Sequence, residues 1–371
     1  MRLLTSLCVL ASVSASPAQA EQPFGWVGNS HPSAYSLQAG DFEFSGNLLC
    51  VNDTVDFLNL RNDLLAGTQR LVGNTGDLDG NSGELRLGVW DSLEVFYRQQ
   101  RQDLTVKIGP VSSLDIENLD TALRTQGRAF GAKWVFYEAT SQDQSQPWTS
   151  AALELTRTKN RSDDFGGDLA GLPTEGISFD PPARFAMDRL QDEGWQARIL
   201  LSTGLSASTT ATLWAGYGAS SASSGTSWDI DTSLFRDAFL QTFDSEESRY
   251  VLGASLNWQY LPRLPVQVGY EYIKISDREQ DIVRSDSRLG SLIPSFLNGS
   301  SLAESATHNH ILHGSVTWWA TPHVYIGAGG KLFSSQFTGL IPHYNNPLSG
   351  GFSNITYGYV EMKLGIKFSF D

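Results

Sequence analysis

The stretch YVEMKLGIKFSF, residues 359–370, decides the fold. Its apolar side chains occupy every second position: Val360, Met362, Leu364, Ile366, Phe368 and Phe370. The positions between them carry three charges, Glu361, Lys363 and Lys367. Because successive side chains of a β-strand point to opposite faces, one face of this strand is apolar and the other is charged. The pattern is typical of a barrel wall that separates lipid from a wet lumen.

The same alternation recurs along the chain and predicts eleven further strands. Their ranges are 40–49, 84–90, 93–102, 129–138, 148–158, 195–205, 209–219, 250–258, 266–272, 312–318 and 324–332. A tilted strand needs about 9 to 11 residues to cross a bilayer, and most of these segments come close to that length. The sequence therefore predicts a barrel of twelve strands.

The connections between these strands alternate in length. Short ones lie near 92, 140–147, 206–208, 261–263 and 320–322, and long ones cover 50–82, 109–126, 160–192, 221–246, 278–305 and 337–353. This predicts short periplasmic turns, long outer loops and periplasmic termini. Aromatic residues at the strand ends predict two girdles at the headgroup level. They are Trp134, Phe136, Trp148, Trp258, Tyr260, Trp318, Trp319, Phe368 and Phe370 at one end, and Trp195, Tyr250, Tyr357 and Tyr359 at the other.

The N-terminus has the features of a cleaved secretion signal over residues 1–20. Arg2 precedes an apolar run over 3–13, and small residues end the segment at Ala20. We expect a periplasmic segment at 21–38 and an outer-membrane barrel at 39–371. The apolar residues of 52–66 have helical spacing, which suggests a plug helix or an ordinary loop in the barrel mouth.

Charge and cysteine content exclude some functions. The net charge is −14, and it becomes −15 once Arg2 is removed with the signal, so nucleic acid is an improbable partner. Cys8 lies in the signal and leaves Cys50 alone in the mature chain, so no disulfide can form within it.

The signal, the alternating strands and the final segment Gly365 to Phe370 resemble the class of bacterial outer-membrane β-barrels, including porin-like ones. The resemblance implies a transmembrane, antiparallel, up-and-down barrel of about twelve strands in a Gram-negative outer membrane. It also implies contact with outer-membrane lipid and lipopolysaccharide, and recognition of the last strand by the barrel-assembly machinery. In that class the final residue is usually aromatic, whereas here Asp371 follows Phe370.

The alternation also assigns charged residues to the lumen. They are Arg86, Arg98, Lys133, Arg198, Lys331, Lys363, Lys367, Glu84, Glu94, Glu154, Glu271 and Glu361. Seven cations and five carboxylates suggest a small hydrophilic pore with a weak preference for anions, or a closed interior cross-linked by ion pairs. Arg157, Lys274 and Glu138 fall on the lipid side near strand ends, where they can reach the interface.

Two long connections are acidic. Residues 160–192 contain seven acids and three basic residues, and 221–246 contain five acids and one arginine. They could bind divalent cations that bridge to lipopolysaccharide, repel anions at the mouth, or serve only as solvated loops.

Two short motifs suggest chemistry that the sequence does not complete. Residues 77–84 have oxygen ligands at alternate positions, but Ser82 and Gly88 depart from the calcium-loop pattern, so we predict a tight turn and no metal. His308, His310 and His313 cluster, and His313 with Ser315 forms a His-x-Ser pair like that of outer-membrane lipid hydrolases. The pair falls on the lumen side and lacks an acidic partner within its strand.

The leading hypothesis is a narrow porin or channel for small hydrophilic solutes, without a cofactor or enzymatic activity. The alternatives are a closed structural barrel or adhesin acting through its acidic loops, and a lipid hydrolase using His313 and Ser315.

Overall fold

The computed structural model describes residues 32–55, 75–107, 115–118, 122–139, 149–172, 176–206, 208–229, 243–282, 308–333 and 357–369. The expected signal at 1–20, Trp148 and Phe370 lie outside these ranges. In the part of the chain that is described, no helix is long and apolar enough to cross a membrane.

The described residues form one sheet of fourteen strands. Twelve of them build the wall: β1 Asp41–Val55, β2 Thr75–Trp90, β3 Leu93–Lys107, β5 Ala122–Ala139, β6 Thr149–Ser162, β8 Ile177–Ser206, β9 Thr209–Asp229, β10 Phe243–Leu261, β11 Leu264–Ile282, β12 His308–Trp319, β13 Val324–Phe333 and β14 Tyr357–Ser369. Two short strands, β4 Asp115–Glu117 and β7 Phe165–Leu172, lie outside the ring. Each predicted strand overlaps one wall strand.

The twelve wall strands close into a barrel. Neighbours along the ring pair antiparallel, β8 pairs with β9, and β14 pairs with β1 from Asp41 opposite Ser369 to Cys50 opposite Val360. Where neighbouring strands overlap, closure pairs each strand on both sides and leaves no sheet edge in the ring. The predicted antiparallel up-and-down barrel is confirmed.

Several strands continue past the predicted bounds, and here the predictions were wrong in part. The connection at 50–82 contains the end of β1 and the start of β2, and the tight turn expected at 77–84 is a paired part of β2. Within 160–192, β7 pairs with the first half of β8, and β4 pairs with β7. Backbone pairing holds these extensions, although their sequences lack the apolar alternation of the wall. Of the suggested plug helix at 52–66, residues 52–55 belong to β1 and the rest lie outside the described residues.

The barrel is apolar on its outer face and polar on its inner face. Large apolar residues such as Leu252, Val268 and Met362 are more than half exposed. Polar and charged residues such as Glu43, Ser202 and Asn309 are almost fully buried instead. An exposed apolar band around a closed barrel requires lipid as its solvent, so the barrel is a transmembrane one.

Aromatic rings lie at both ends of the apolar band. At the end with the short turns, the ring centroids of Trp134 and Phe136 are 5.9 Å apart and those of Trp258 and Tyr260 are 5.1 Å apart. At the other end, contacts join Tyr97 to Phe130, Trp195 to Tyr217 and Tyr217 to Tyr250. Trp319 was expected in the first girdle, but it contacts the buried Tyr325 at 4.8 Å because Trp318, its neighbour in β12, takes the outward position.

Candidate functional site

Five charged side chains form a compact network in the barrel half nearer the short turns. We call Glu43, Glu84, Arg86, Glu94 and Lys133 the sealed network, because their side chains are all less than 10% exposed. Arg86 Nε donates to Glu94 Oε1 at 2.8 Å, and Arg86 lies 3.4 Å from Glu43 and 3.9 Å from Glu84. Lys133 Nζ lies 3.5 Å from Glu94. The five residues lie on β1, β2, β3 and β5, which are neighbours in that order. Strand register alone therefore brings their charges together.

The network continues onto the last two strands. The hydroxyl of Tyr325, in β13, donates to Glu43 Oε1 at 2.5 Å although β14 lies between their strands. Lys363 Nζ lies 5.6 Å from the centre of the Tyr325 ring, and Lys367 Nζ lies 3.1 Å from Asp41. The first and last strands are thus joined by side chains as well as by backbone pairing.

The ring of Tyr325 packs directly over Gly365. A Cβ at Gly365 would lie 2.0 Å from Tyr325 Cζ, whereas the atom nearest a Cβ at Gly314 would be 3.6 Å away. We expect Gly365→Ala to lower the free energy of unfolding by about 2 kcal/mol because it overpacks a buried site. Gly314→Ala is the matched control and should change it by less than about 0.5 kcal/mol. Urea unfolding of the protein in lipid vesicles would measure both, and equal values would contradict the packing described.

A second group of charges lies further along the lumen. We call Arg98, Glu154, Arg198, Glu271, Lys331 and Glu361 the charge ring. Arg198 contacts Glu154 on the neighbouring strand, and its guanidinium reaches to 4.0 Å from Glu271, although β9 and β10 separate their strands. Trp214 Nε1 donates to the same carboxylate at 2.9 Å. Lys331 interacts electrostatically with Arg98, Arg198, Glu271 and Glu361.

Three members of the charge ring are clearly more exposed than the sealed network, whereas Glu154 is buried. The side chains of Arg98, Arg198 and Glu271 are 38%, 21% and 20% exposed. With three cations and three carboxylates, the ring is balanced in formal charge. Long charged side chains on the enclosed face of a barrel keep such exposure only where water can reach them.

A segment before β1 enters the barrel end that carries the short turns. We call residues 32–40 the N-terminal strap. Ala34 N donates to Ser202 Oγ at 2.9 Å, and Ser150 Oγ donates to Ala34 O at 3.1 Å. Leu37 N donates to Glu94 Oε2 at 3.0 Å, which attaches the strap to the sealed network. The strap therefore crosses the interior from β3 to β6 and β8, although sequence reasoning treated residues up to 38 as a plain periplasmic segment.

The predicted lumen residues fall into these groups. Glu84, Arg86, Glu94 and Lys133 belong to the sealed network; Arg98, Glu154, Arg198, Glu271, Lys331 and Glu361 form the charge ring; and Lys363 and Lys367 contact Tyr325 and Asp41. Sequence reasoning missed the buried Asp41 and Glu43, which the alternation in β1 would have placed on the same face. These two carboxylates offset the surplus of two positive charges inferred from the sequence, and the buried Asp192 and Glu247, beyond the predicted strand ends, were missed as well.

The three clustered histidines do not converge. His313 is buried, with its ring 6.2 Å from that of Trp214. His308 and His310 lie on the outer face, where His310 Nδ1 is 2.6 Å from the hydroxyl of Tyr270. The described residues contain no group of three side chains that could hold a metal ion. His313 and Ser315 share the enclosed face and are separated from the lipid by the wall.

No protein-family model and no curated protein matches the chain. Among solved structures, the chain is similar to the translocator domain of the autotransporter NalP from Neisseria meningitidis, with 7% identity, 90% of each chain covered and a TM-score of 0.47. It is also similar to the NanC porin, with 6% identity, 88% of this chain and 100% of the other covered, and a TM-score of 0.42. It is similar as well to the toluene transporter TbuX from Ralstonia pickettii, with 11% identity, 90% of each chain covered and a TM-score of 0.41. These similarities are remote, and the fold rests on the strand pairings above.

Proposed function

We propose that the protein is a narrow outer-membrane channel through which small hydrophilic solutes diffuse. The observation that supports this most directly is the partial exposure of Arg98, Arg198 and Glu271 on the enclosed face. A barrel of twelve strands is intermediate between filled barrels of eight strands and open porins of about sixteen. The charge ring is the proposed selectivity element, and the N-terminal strap is the proposed constriction.

The charge balance of the lumen argues against a strong ion preference. Asp41 and Glu43 bring the carboxylates level with the seven predicted cations, and further along the described lumen the buried Asp192 and Glu247 lie near Arg249. Fixed charges of both signs hydrate polar solutes without excluding either sign. The proposed substrates are therefore small and hydrophilic, and neutral solutes are included.

Export and membrane insertion belong to the same proposal. The proposed route is secretion through a cleaved signal at 1–20, followed by assembly into a Gram-negative outer membrane by the barrel-assembly machinery. Lipopolysaccharide then surrounds the outer half of the wall. Retention of residues 1–20 in the mature protein, measured by intact mass, would contradict this route.

Recordings of the refolded barrel in a planar bilayer test the channel. We expect discrete conductance steps and a cation-to-anion permeability ratio near one, measured as the reversal potential in a salt gradient. Removing two cations of the charge ring, in Arg98→Gln with Lys331→Gln, should make the pore cation-selective. The matched pair Glu271→Gln with Glu361→Gln should make it anion-selective. Equal reversal potentials for both variants would show that the charge ring does not face the conducting path.

One alternative has an observation in its favour. The strap and the sealed network fill part of the lumen, as expected for a closed structural barrel. An absence of conductance in the wild type and in a variant lacking residues 32–38 would favour the closed barrel.

The channel proposal gives His313 and Ser315 no catalytic role. Phospholipase activity that is present in the wild type and lost in Ser315→Ala would overturn that part of the proposal.

A further inference from the structure

The outer surface of the wall carries a group of cations at one side of the barrel. We call Arg101, Arg124, Arg128, Arg157, Lys159 and Arg161 the basic patch. They lie on β3, β5 and β6, and all of them are exposed. In a chain with a net charge of −14, such a concentration of positive charge outside the lumen is a local exception.

Strand register places the basic patch relative to the girdle. Phe130 pairs with Arg157, and Arg157 pairs with Trp195, so the first cation stands within the row of rings at the end opposite the short turns. The next outward-facing row joins Arg128 to Lys159, and a further row holds Arg161. Successive rows on one face are about 7 Å apart along a strand. The patch therefore extends from the edge of the apolar band into the headgroup layer.

Neighbouring carboxylates neutralise only part of the patch. Glu193 lies 3.8 Å from Arg157 and 3.7 Å from Lys159. Asp103 lies 3.7 Å from Arg101 and 3.6 Å from Arg124, at the outer margin. Asp163, exposed at the end of β6, is the third nearby acid. Among the described residues, six cations face these three carboxylates and the exposed Asp164, which leaves a small excess of positive charge at the depth where lipid phosphates lie.

A groove adjoins the basic patch on the same surface. It has a volume of about 670 Å³ and opens among β6, β8, β9 and β10. Its lining includes Arg157, Trp195, Ser221, Glu246 and Ser248. An exposed indole beside hydroxyl and carboxylate groups offers an apolar face and hydrogen-bond partners together. A sugar ring can use both, because one of its faces is apolar and its hydroxyl groups form hydrogen bonds.

We propose that the basic patch and this groove bind a phosphorylated glycolipid of the outer leaflet. Phosphate groups contact Arg128, Lys159 and Arg161, and the sugar occupies the groove beside Trp195. The lipid chains then lie along the apolar band below. The site is on the outer face of the wall, so it does not depend on whether the lumen conducts.

Native mass spectrometry of the intact barrel, refolded in phosphatidylcholine vesicles with bisphosphorylated lipid A and EDTA, tests the proposal. We expect the wild type to retain lipid A when it is released in detergent. Arg128→Gln, Lys159→Gln and Arg161→Gln together should lower the retained fraction at least tenfold. The matched control is Arg184→Gln, Arg263→Gln and Lys274→Gln, which removes three exposed cations elsewhere and should keep wild-type retention. Equal retention by the two triple variants would overturn the proposal.

Four further comparisons require only the wild type and so do not depend on the folding of a variant. Lipid A stripped of both phosphates should bind at least tenfold less, and equal binding would overturn the phosphate contact. Inorganic phosphate at the lipid concentration should not displace the lipid, and displacement would assign the patch to free phosphate instead. Retention in EDTA excludes bridging through a divalent cation, and its loss would overturn direct binding. Phosphatidylglycerol, which has a phosphate but no disaccharide, should bind less than lipid A if the groove holds the sugar, and equal binding would remove the groove from the site.

Discussion

Gly88→Ala is expected to raise the single-channel conductance of the refolded barrel roughly threefold, since conductance follows the free cross-section of the lumen. A Cβ at Gly88 would lie 1.8 Å from the carbonyl oxygen of Gln38 in the strap. Such a contact is impossible, so the added methyl group must push the strap away from β2. Displacement would also break the bond from Gly40 N to Gly88 O, which is 2.9 Å long in the wild type.

The control for this prediction is Gly83→Ala on the same strand, where a Cβ would meet no atom within 4 Å. Its conductance should equal that of the wild type. Deletion of residues 32–38 should reproduce the effect of Gly88→Ala by removing the obstacle itself. If Gly88→Ala and the deletion of residues 32–38 both leave the conductance at the wild-type value, the strap does not set the width of the conducting path.

The largest expected loss of stability is that of Arg86→Ala. We expect it to lower the free energy of unfolding by about 3 to 5 kcal/mol, the range for removing one partner of a buried ion pair. Arg86 lies within 4 Å of Glu43, Glu84 and Glu94, and its loss leaves the carboxylates of the sealed network with fewer cations. Equilibrium unfolding in guanidinium chloride from lipid vesicles, followed by tryptophan fluorescence, would measure the change.

Arg98→Ala is the matched control, because Arg98 Nε lies 2.9 Å from Glu84 but its side chain is 38% exposed. We expect a loss below about 1 kcal/mol, since solvent screens the pair. Arg86→Met combined with Glu43→Gln should recover part of the stability lost in Arg86→Ala, because Glu94 then keeps Lys133 and Glu84 keeps Arg98 as its opposite charge. If Arg86→Ala lowers the free energy of unfolding by no more than Arg98→Ala does, burial adds nothing to the strength of the ion pairs of Arg86.

The wall of the barrel could be predicted from the sequence because lipid imposes a strict pattern on it. Wherever a strand contacts both lipid and lumen, as in Leu252, Ala254 and Leu256 of β10, every second side chain must be apolar. Each predicted strand accordingly overlaps a wall strand, and the alternation fixes which face each charge occupies. Asp41 and Glu43 obey the same rule, and we missed them because only charges on the other strands were counted.

The parts that could not be predicted lie where the bilayer imposes no pattern. The first half of β8 and the serine-rich end of β9 pair along their backbones, but their sequences lack the apolar alternation of the wall and so resemble loops. The strap is held by a few bonds to distant residues, such as Ala34 to Ser202, which are 168 positions apart. Contacts of that kind leave no periodicity in a single sequence. The basic patch could not be recognised as a group, because four of its six members, Arg124, Arg128, Lys159 and Arg161, lie beyond the predicted strand ends.

The pairing of β1 with β14 also constrains the order of events during biogenesis. Ser369 Oγ donates to Asp41 Oδ1 at 2.6 Å across this seam, between residues 328 positions apart. The cylinder cannot close until the ribosome has made the last strand, and until then β1 and the newest strand both offer unpaired backbone groups to other chains. Non-local pairing of this kind is slow and leaves time for aggregation. Truncation at the C-terminus should therefore be more harmful to assembly than an equal cut in an outer loop, because it leaves β1 without its partner strand.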